Sequence, residues 1–181
     1  MNIMGLFSKN KKDIVPEYDK ADCEAKKKRM REIFNKSVKE GDTYEILYAY
    51  MTSSKFERGF VFDTNTTSFY YYIVGYRKKD FDVVLIQVDS NLGDYSDAYH
   101  VEMDKVVNVS YDPKIYQLCF RYEKNHDDYG ELLKIKGTSS KTLYGPKNIY
   151  QPEEIEKFLD FAEDFRATLE EKGYKLDKWK R

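Results

Sequence analysis

Few groups in this chain could carry chemistry. The 181 residues contain two histidines, His100 and His126, and two cysteines, Cys23 and Cys119. A nucleophile relay needs a nucleophile, a base and an orienting acid brought together. Cys119 with a histidine could supply two of the three, but no nucleophile motif surrounds it. The sequence has no GxSxG, GxGxxG, P-loop or HExxH pattern. Alternation along its strand turns Cys119 outward as a plain thiol. His100 faces away from Val101 on its strand, and His126 sits in a polar turn. No catalytic residue is assigned.

Metal chemistry fares no better. Asn125-His126-Asp127-Asp128 offers one imidazole and two carboxylates, whereas zinc takes spaced His and Cys ligands. Asp89, Asn91 and Asp94 resemble the start of a calcium loop. Such a loop needs glycine at its sixth position and glutamate at its twelfth, where this chain has Asp94 and His100. Asp63-Thr64-Asn65 fails in the same way. These read as Asn- and Asp-rich turns, and neither metal nor cofactor is expected.

Two groups remain as candidate binding residues. Arg77-Lys78-Lys79 lies at a hairpin tip and offers positive charge to an anionic head group, with Lys55 and Arg58 nearby and Asp80 and Asp82 diluting it. The other group is aromatic, for the chain holds 17 tyrosines. Tyr70, Tyr71 and Tyr72 stand in a row and cannot all be buried on a one-sided sheet. Tyrosine gives rigid amphipathic contact area and is enriched at interfaces, so Tyr70 and Tyr72 are the candidate interface residues. Basic residues do not interleave with these aromatics, which disfavours nucleic acid.

The elements that position these residues follow from periodicity. After a tail over residues 1–16, Asp19 caps a helix over 19–40. Its apolar stripe is Met30, Ile33, Phe34 and Val38, and Gly41 is its expected stop. The opposite face carries Lys26, Lys27, Lys28, Arg29 and Arg31 and reads as solvated. From Thr43 the period drops to two. Tyr44–Met51, Arg58–Asp63, Phe69–Arg77 and Val83–Val88 read as strands, the last pair joined at Lys78-Lys79-Asp80. Tyr99–Met103, Val107–Tyr111, Tyr116–Glu123 and Tyr129–Lys136 continue the series, half-buried and antiparallel. A polar stretch, Gly137–Asn148, leads to a helix over 152–172. There Ile155, Phe158, Leu159, Ala162, Phe165 and Leu169 form one stripe, Pro152 suits the first turn and Gly173 ends it. Residues 173–181 form a tail, and 17–172 one domain.

Charge narrows the partners. Lys and Arg number 31 against 32 Asp and Glu, for a formal net charge of −1, which lacks the basic excess of a nucleic-acid binder. Residues 1–40 hold eleven basic and seven acidic side chains, residues 80–130 four basic and eleven acidic. The two isolated thiols form no disulfide framework and fit a reduced, cytoplasmic setting. At the N-terminus the lysines follow the apolar tip instead of preceding it, which is not the order of a secretory signal. The low-proline, Lys- and Tyr-rich composition reads as bacterial.

A run of about seven antiparallel strands closed by one C-terminal helix resembles the pleckstrin-homology-like (PH-like) superfold, from Tyr99 to Leu169 above all. Val101–Val109 looks like the junction between two strands in bacterial members; the hairpin Tyr116–Lys136 and the helix Pro152–Leu169 follow in order. The resemblance implies an α+β fold with a β-barrel or curved sheet closed by the last helix, here with an extra N-terminal helix. A cystatin- or NTF2-like helix with a curved sheet is the alternative. The resemblance also implies a binding scaffold: a non-catalytic module that binds a protein partner or assembles with itself. Two other readings stay open. One is peripheral membrane or head-group binding through the N-terminal tip and Arg77–Lys79. The other is an enzyme whose site has no recognisable motif.

Overall fold

The computed structural model describes residues 18–57, 64–113, 117–122, 132–134, 149–177 and 179. The expected tail 1–16, the run Arg58–Asp63, the turn Asn125–Asp128 with His126, and the stretch Gly137–Asn148 lie outside these residues.

The fold is α+β: four antiparallel strands on one side and an antiparallel pair on the other, flanked by N- and C-terminal helices. Helix α1 spans Lys20–Ser37, and its Asp19 cap accepts a hydrogen bond from the Asp22 amide at 3.0 Å. The strands are β1 (Glu45–Glu57), β2 (Thr64–Arg77), β3 (Asp82–Val88), β4 (Tyr99–His100), β5 (Val106–Asp112), β6 (Gln117–Tyr122) and β7 (Leu132–Lys134). Helix α2 spans Pro152–Glu171, with Pro152 in its first turn and Gly173 just beyond it at φ +87°. The strand order is β4-β3-β2-β1-β7-β6-β5, antiparallel throughout.

The expected barrel is not formed. The ends of the order are β4 and β5, and they do not pair among the described residues. Fewer than seven strands are full ladders among the described residues: β4 has two residues and β7 three, and β7 meets β1 there only at Tyr50↔Lys134. A two-residue edge offers too little backbone to close a ring. At the other end, Arg166 Nη1 of α2 donates to the Val109 carbonyl at 2.6 Å, and the Asp177 amide donates to Asn108 Oδ1 at 3.1 Å. Those bonds spend β5 groups on side chains and tail.

Alternation along the strands serves two cores, because a helix covers each face. Leu47, Ala49, Val74, Tyr76, Val83 and Leu85 face Phe158, Phe161, Phe165 and the rest of the α2 stripe. Their sequence neighbours Tyr48, Ile73, Val84 and Ile86 face Met30, Ile33, Phe34 and Val38 of α1. Hence β2 and β3 read as apolar on both sides. At Gly75 the Phe34 ring lies directly on the backbone; a Cβ there would sit 2.0 Å from Phe34 Cζ.

Two expectations about α1 are corrected. Gly41 does not supply the left-handed stop: Glu40 does, at φ 56°, while Gly41 is needed because a Cβ would lie 2.9 Å from the Asn35 Cα. The basic face is also not simply solvated. Arg31 Nη1 donates to the carbonyls of Gly41 (3.1 Å) and Tyr44 (2.9 Å), Arg29 Nε to that of Leu92 (3.2 Å), and Lys27 reaches Glu154 of α2 at 2.5 Å. Those side chains tie α1 to the body.

Candidate functional site

The β2–β3 turn holds Arg77, Lys78 and Lys79 at one end of the sheet, with Phe81 at φ 53° completing the reversal. The structure separates the three cations. Arg77 forms a two-pronged pair with Asp80, Nε–Oδ1 at 2.9 Å and Nη2–Oδ2 at 2.6 Å, and its guanidinium lies 4.4 Å from the centre of the Tyr44 ring. That hydrogen bond raises the Arg77 pKa and holds the Asp80 carboxyl below its usual range. Lys78 crosses to Asp164 of α2 at 2.5 Å, although its side chain is 73 % exposed. Lys79 is exposed. Internal carboxylates therefore answer two of the three charges proposed for an anionic ligand.

Beside them lies a constellation that sequence reasoning missed. The Tyr44 hydroxyl donates to Asp82 Oδ2, and Asp82 Oδ1 faces His100 Nδ1 at 3.1 Å. Burial and then the Asp82 carboxylate push the Tyr44 pKa far up, so the phenol keeps its proton. Register is the cause: β3 pairs β4 at Val84↔His100, which brings His100 over the start of β3. An acid between a phenol and an imidazole is an orienting arrangement. His100 is mostly exposed, and no group of three or more His, Cys, Asp or Glu that could hold a metal occurs among the described residues. Cys119 is far from a relay: it is half-buried on β6 opposite Ser110, and burial raises its pKa. Cys23 is buried; its Sγ accepts from the Tyr150 amide at 3.3 Å. The Asp89 turn uses its carboxylate internally, Oδ1 accepting from the amides of Gly93 (2.7 Å) and Asp94 (3.2 Å).

The tyrosine row divides as alternation requires. Tyr71 faces α1 and stacks with Tyr48, centroids 6.2 Å apart. Tyr70 and Tyr72 share the other face. Tyr72 lies half-buried against the α2 core, whereas Tyr70 is 39 % exposed. The difference comes from strand length. β3 accompanies β2 only from Tyr71 to Arg77, while the β1–β2 ladder runs on to Glu57↔Thr64. Among the described residues, the last seven pairs, from Met51↔Tyr70 outward, form a two-stranded ribbon beyond β3, with Ser53, Thr66 and Ser68 exposed along it. The alternation Tyr-Tyr-Tyr in the sequence already signalled which ring would stand alone in facing; the ribbon's length was not legible.

A hollow of about 350 Å³ opens near the same end of the sheet, between the start of β1, the end of β2 and α2, with Tyr76 and Phe161 in its wall. No helix is long and apolar enough to cross a membrane among the described residues. No protein-family model matches the chain, and neither a characterised protein nor a solved structure is significantly similar to it.

Proposed function

We propose that this chain is a non-catalytic interaction domain of PH-like type that binds protein through its β1–β2 ribbon, a second copy of itself being the first partner to test. The observation that carries this reading is Tyr70, a large aromatic 39 % exposed opposite Met51 on a ribbon longer than its neighbours. A long exposed strand with an aromatic anchor is suited to strand addition, where backbone groups give affinity and side chains give specificity. The PH-like part rests on the order of elements, a series of antiparallel strands followed by one amphipathic helix that covers a sheet face. The carboxylates on Arg77 and Lys78 favour protein over an anionic head group as the ligand, since each must be displaced before a phosphate is held.

Light scattering of the full-length chain over a concentration series tests the reading. Self-association that Tyr70→Glu abolishes, with the far-UV spectrum and thermal midpoint unchanged, is the expected result. A strict monomer at the highest concentration overturns self-assembly. Salt-sensitive binding to anionic vesicles, lost in Lys78→Glu/Lys79→Glu, would move the function to the membrane surface.

A further inference from the structure

One end of the strand order is β4, and its outer edge carries an exposed aromatic of its own. Tyr99 is 47 % exposed, more than any other large apolar or aromatic side chain among the described residues. The chain runs here along β3: the Ser96 amide donates to the Gln87 carbonyl at 2.9 Å, and the Val101 amide to the Val83 carbonyl at 2.8 Å. Backbone groups of successive residues point to opposite edges of a strand. The N–H and C=O of His100 therefore turn away from β3, and no strand among the described residues pairs with β4 on that side. Side chains alternate too. Tyr99 lies opposite Leu85 on the α2 face, while His100 turns to Asp82 on the α1 face.

This edge is acidic, and the fold answers only part of its charge. From Asp89 to Asp104 the sequence has five carboxylates and no Lys or Arg. Asp89 is taken by the amides of its own turn. Lys105 holds Glu102 at 2.6 Å with Asp104 beside it, one cation for two carboxylates. Asp94 and Asp97 are exposed, and neither side chain forms a hydrogen bond or ion pair among the described residues. From α1, Lys36 lies over the Tyr95 ring at 5.8 Å and Arg29 bonds the Leu92 carbonyl. A second copy of this edge would set carboxylate against carboxylate, which destabilises paired strands. A segment rich in Lys or Arg meets the opposite sign.

We propose that the β4 edge accepts a basic, extended segment of a partner protein as an added strand. The backbone of His100 pairs with it, Tyr99 is its aromatic anchor, and Asp94 and Asp97 meet its cations. The site is separate from the β1–β2 ribbon and does not rest on that reading.

Three peptides test it: acetyl-Lys-Thr-Lys-Val-Lys-Thr-amide, the same peptide with glutamate for every lysine, and the basic peptide with proline for valine. Each is titrated into the isotope-labelled full-length chain and followed by amide shifts in NMR. The basic peptide should bind with shifts centred on residues 97–101, and about tenfold more weakly at about 0.15 M salt than at about 0.01 M. The glutamate peptide should not bind. Proline keeps the charge but removes a backbone donor, and should weaken binding by about fivefold. Asp94→Lys/Asp97→Lys should weaken the basic peptide by about tenfold and admit the glutamate peptide. Tyr99→Ser should weaken the basic peptide at both salt concentrations. Both variants change exposed side chains and should keep the parent's thermal midpoint. Absence of shifts with the basic peptide overturns the proposal, as does equal binding by the proline peptide, which would mean charge attraction without strand addition. Binding unchanged in Asp94→Lys/Asp97→Lys overturns it too. Shifts centred on Met51 and Tyr70 would also overturn it, by moving the peptide to the ribbon.

Discussion

Gln151, just before α2, is the sharpest place to test how the sheet is held. Its side chain is 1 % exposed and grips one residue of β1 with both ends of its amide. Nε2 donates to the Tyr48 carbonyl at 2.7 Å, and Oε1 accepts from the Tyr48 amide at 2.8 Å. Tyr48 lies two residues from Tyr50, where β7 pairs with β1 among the described residues, and the glutamine amide takes both backbone groups of Tyr48. Gln151→Met keeps the length and removes both polar ends. Two hydrogen bonds of about 1 kcal/mol each are lost, and a buried N–H and C=O are left unpaired at roughly 1–3 kcal/mol each. Allowing about 1 kcal/mol back for the apolar side chain, a loss of about 3–7 kcal/mol is expected, a large share of a typical 5–15 kcal/mol. Urea unfolding followed by circular dichroism should show a lower midpoint with an unchanged slope. Gln151→Glu gives a second reading. At neutral pH its carboxylate opposes the Tyr48 carbonyl, whereas a protonated carboxyl can both donate and accept. Its folded pKa is therefore raised, so its stabilisation is present below the unfolded glutamate value, about 4.3, and is lost as pH rises through the folded value. The deficit of Gln151→Glu against the parent should be smallest in acid. A Gln151→Met loss under about 1 kcal/mol, or a Gln151→Glu deficit indifferent to pH, would refute this account of the strand edge.

Other consequences can be checked on the same protein. Gly75→Ala places a methyl inside the Phe34 ring and should cost about 1–3 kcal/mol or more; a combined Gly75→Ala/Phe34→Leu variant should lose less than the sum of the two single changes in urea. The Asp80 carboxyl is held low by Arg77, so its contribution is present above the ordinary aspartate value, about 3.9, and is lost as pH falls through the folded value. Asp80→Asn should lower the urea midpoint at pH 6 and leave it nearly unchanged near pH 2. Cys23 is buried and the Cys119 pKa is raised by burial, so thiol titration at pH 7 should be slow for both in the native chain and prompt in denaturant.

Both helices could be read from the sequence because each carries a long 3.6-residue stripe with a cap or proline at its start. The stripes Met30–Val38 and Ile155–Leu169 are the buried faces observed. Strands β2 and β3 were legible as short runs of β-formers on either side of a polar turn, though their two-sided apolarity makes sense only once a helix lies on each face. Closure was not legible. Alternation reports which face of a strand is buried and says nothing of which edge it joins, and the β5 edge is settled by Arg166, Asn108 and Asp177, far apart in the chain. The same holds for the candidate site. Arg77 and Lys78 look like free charge in sequence because Asp164 lies more than eighty residues from either and Asp80 seems only to dilute them. Gln151 carried no signal at all, since a lone glutamine before a helix has no pattern.

The ties between α1 and the start of α2 bear on how the chain is made. Cys23 meets Tyr150, and Lys27 meets Glu154, each across 127 residues of sequence. A ribosome adding about 5–20 residues per second needs roughly 6–25 s to cross that gap. Through that interval α1 can settle on β2 and β3 while lacking both clasps. The helix is then held by apolar contact and by the Arg29 and Arg31 bonds to earlier carbonyls, and a nascent chain stalled before Tyr150 should be more open to proteases along α1 than the finished chain.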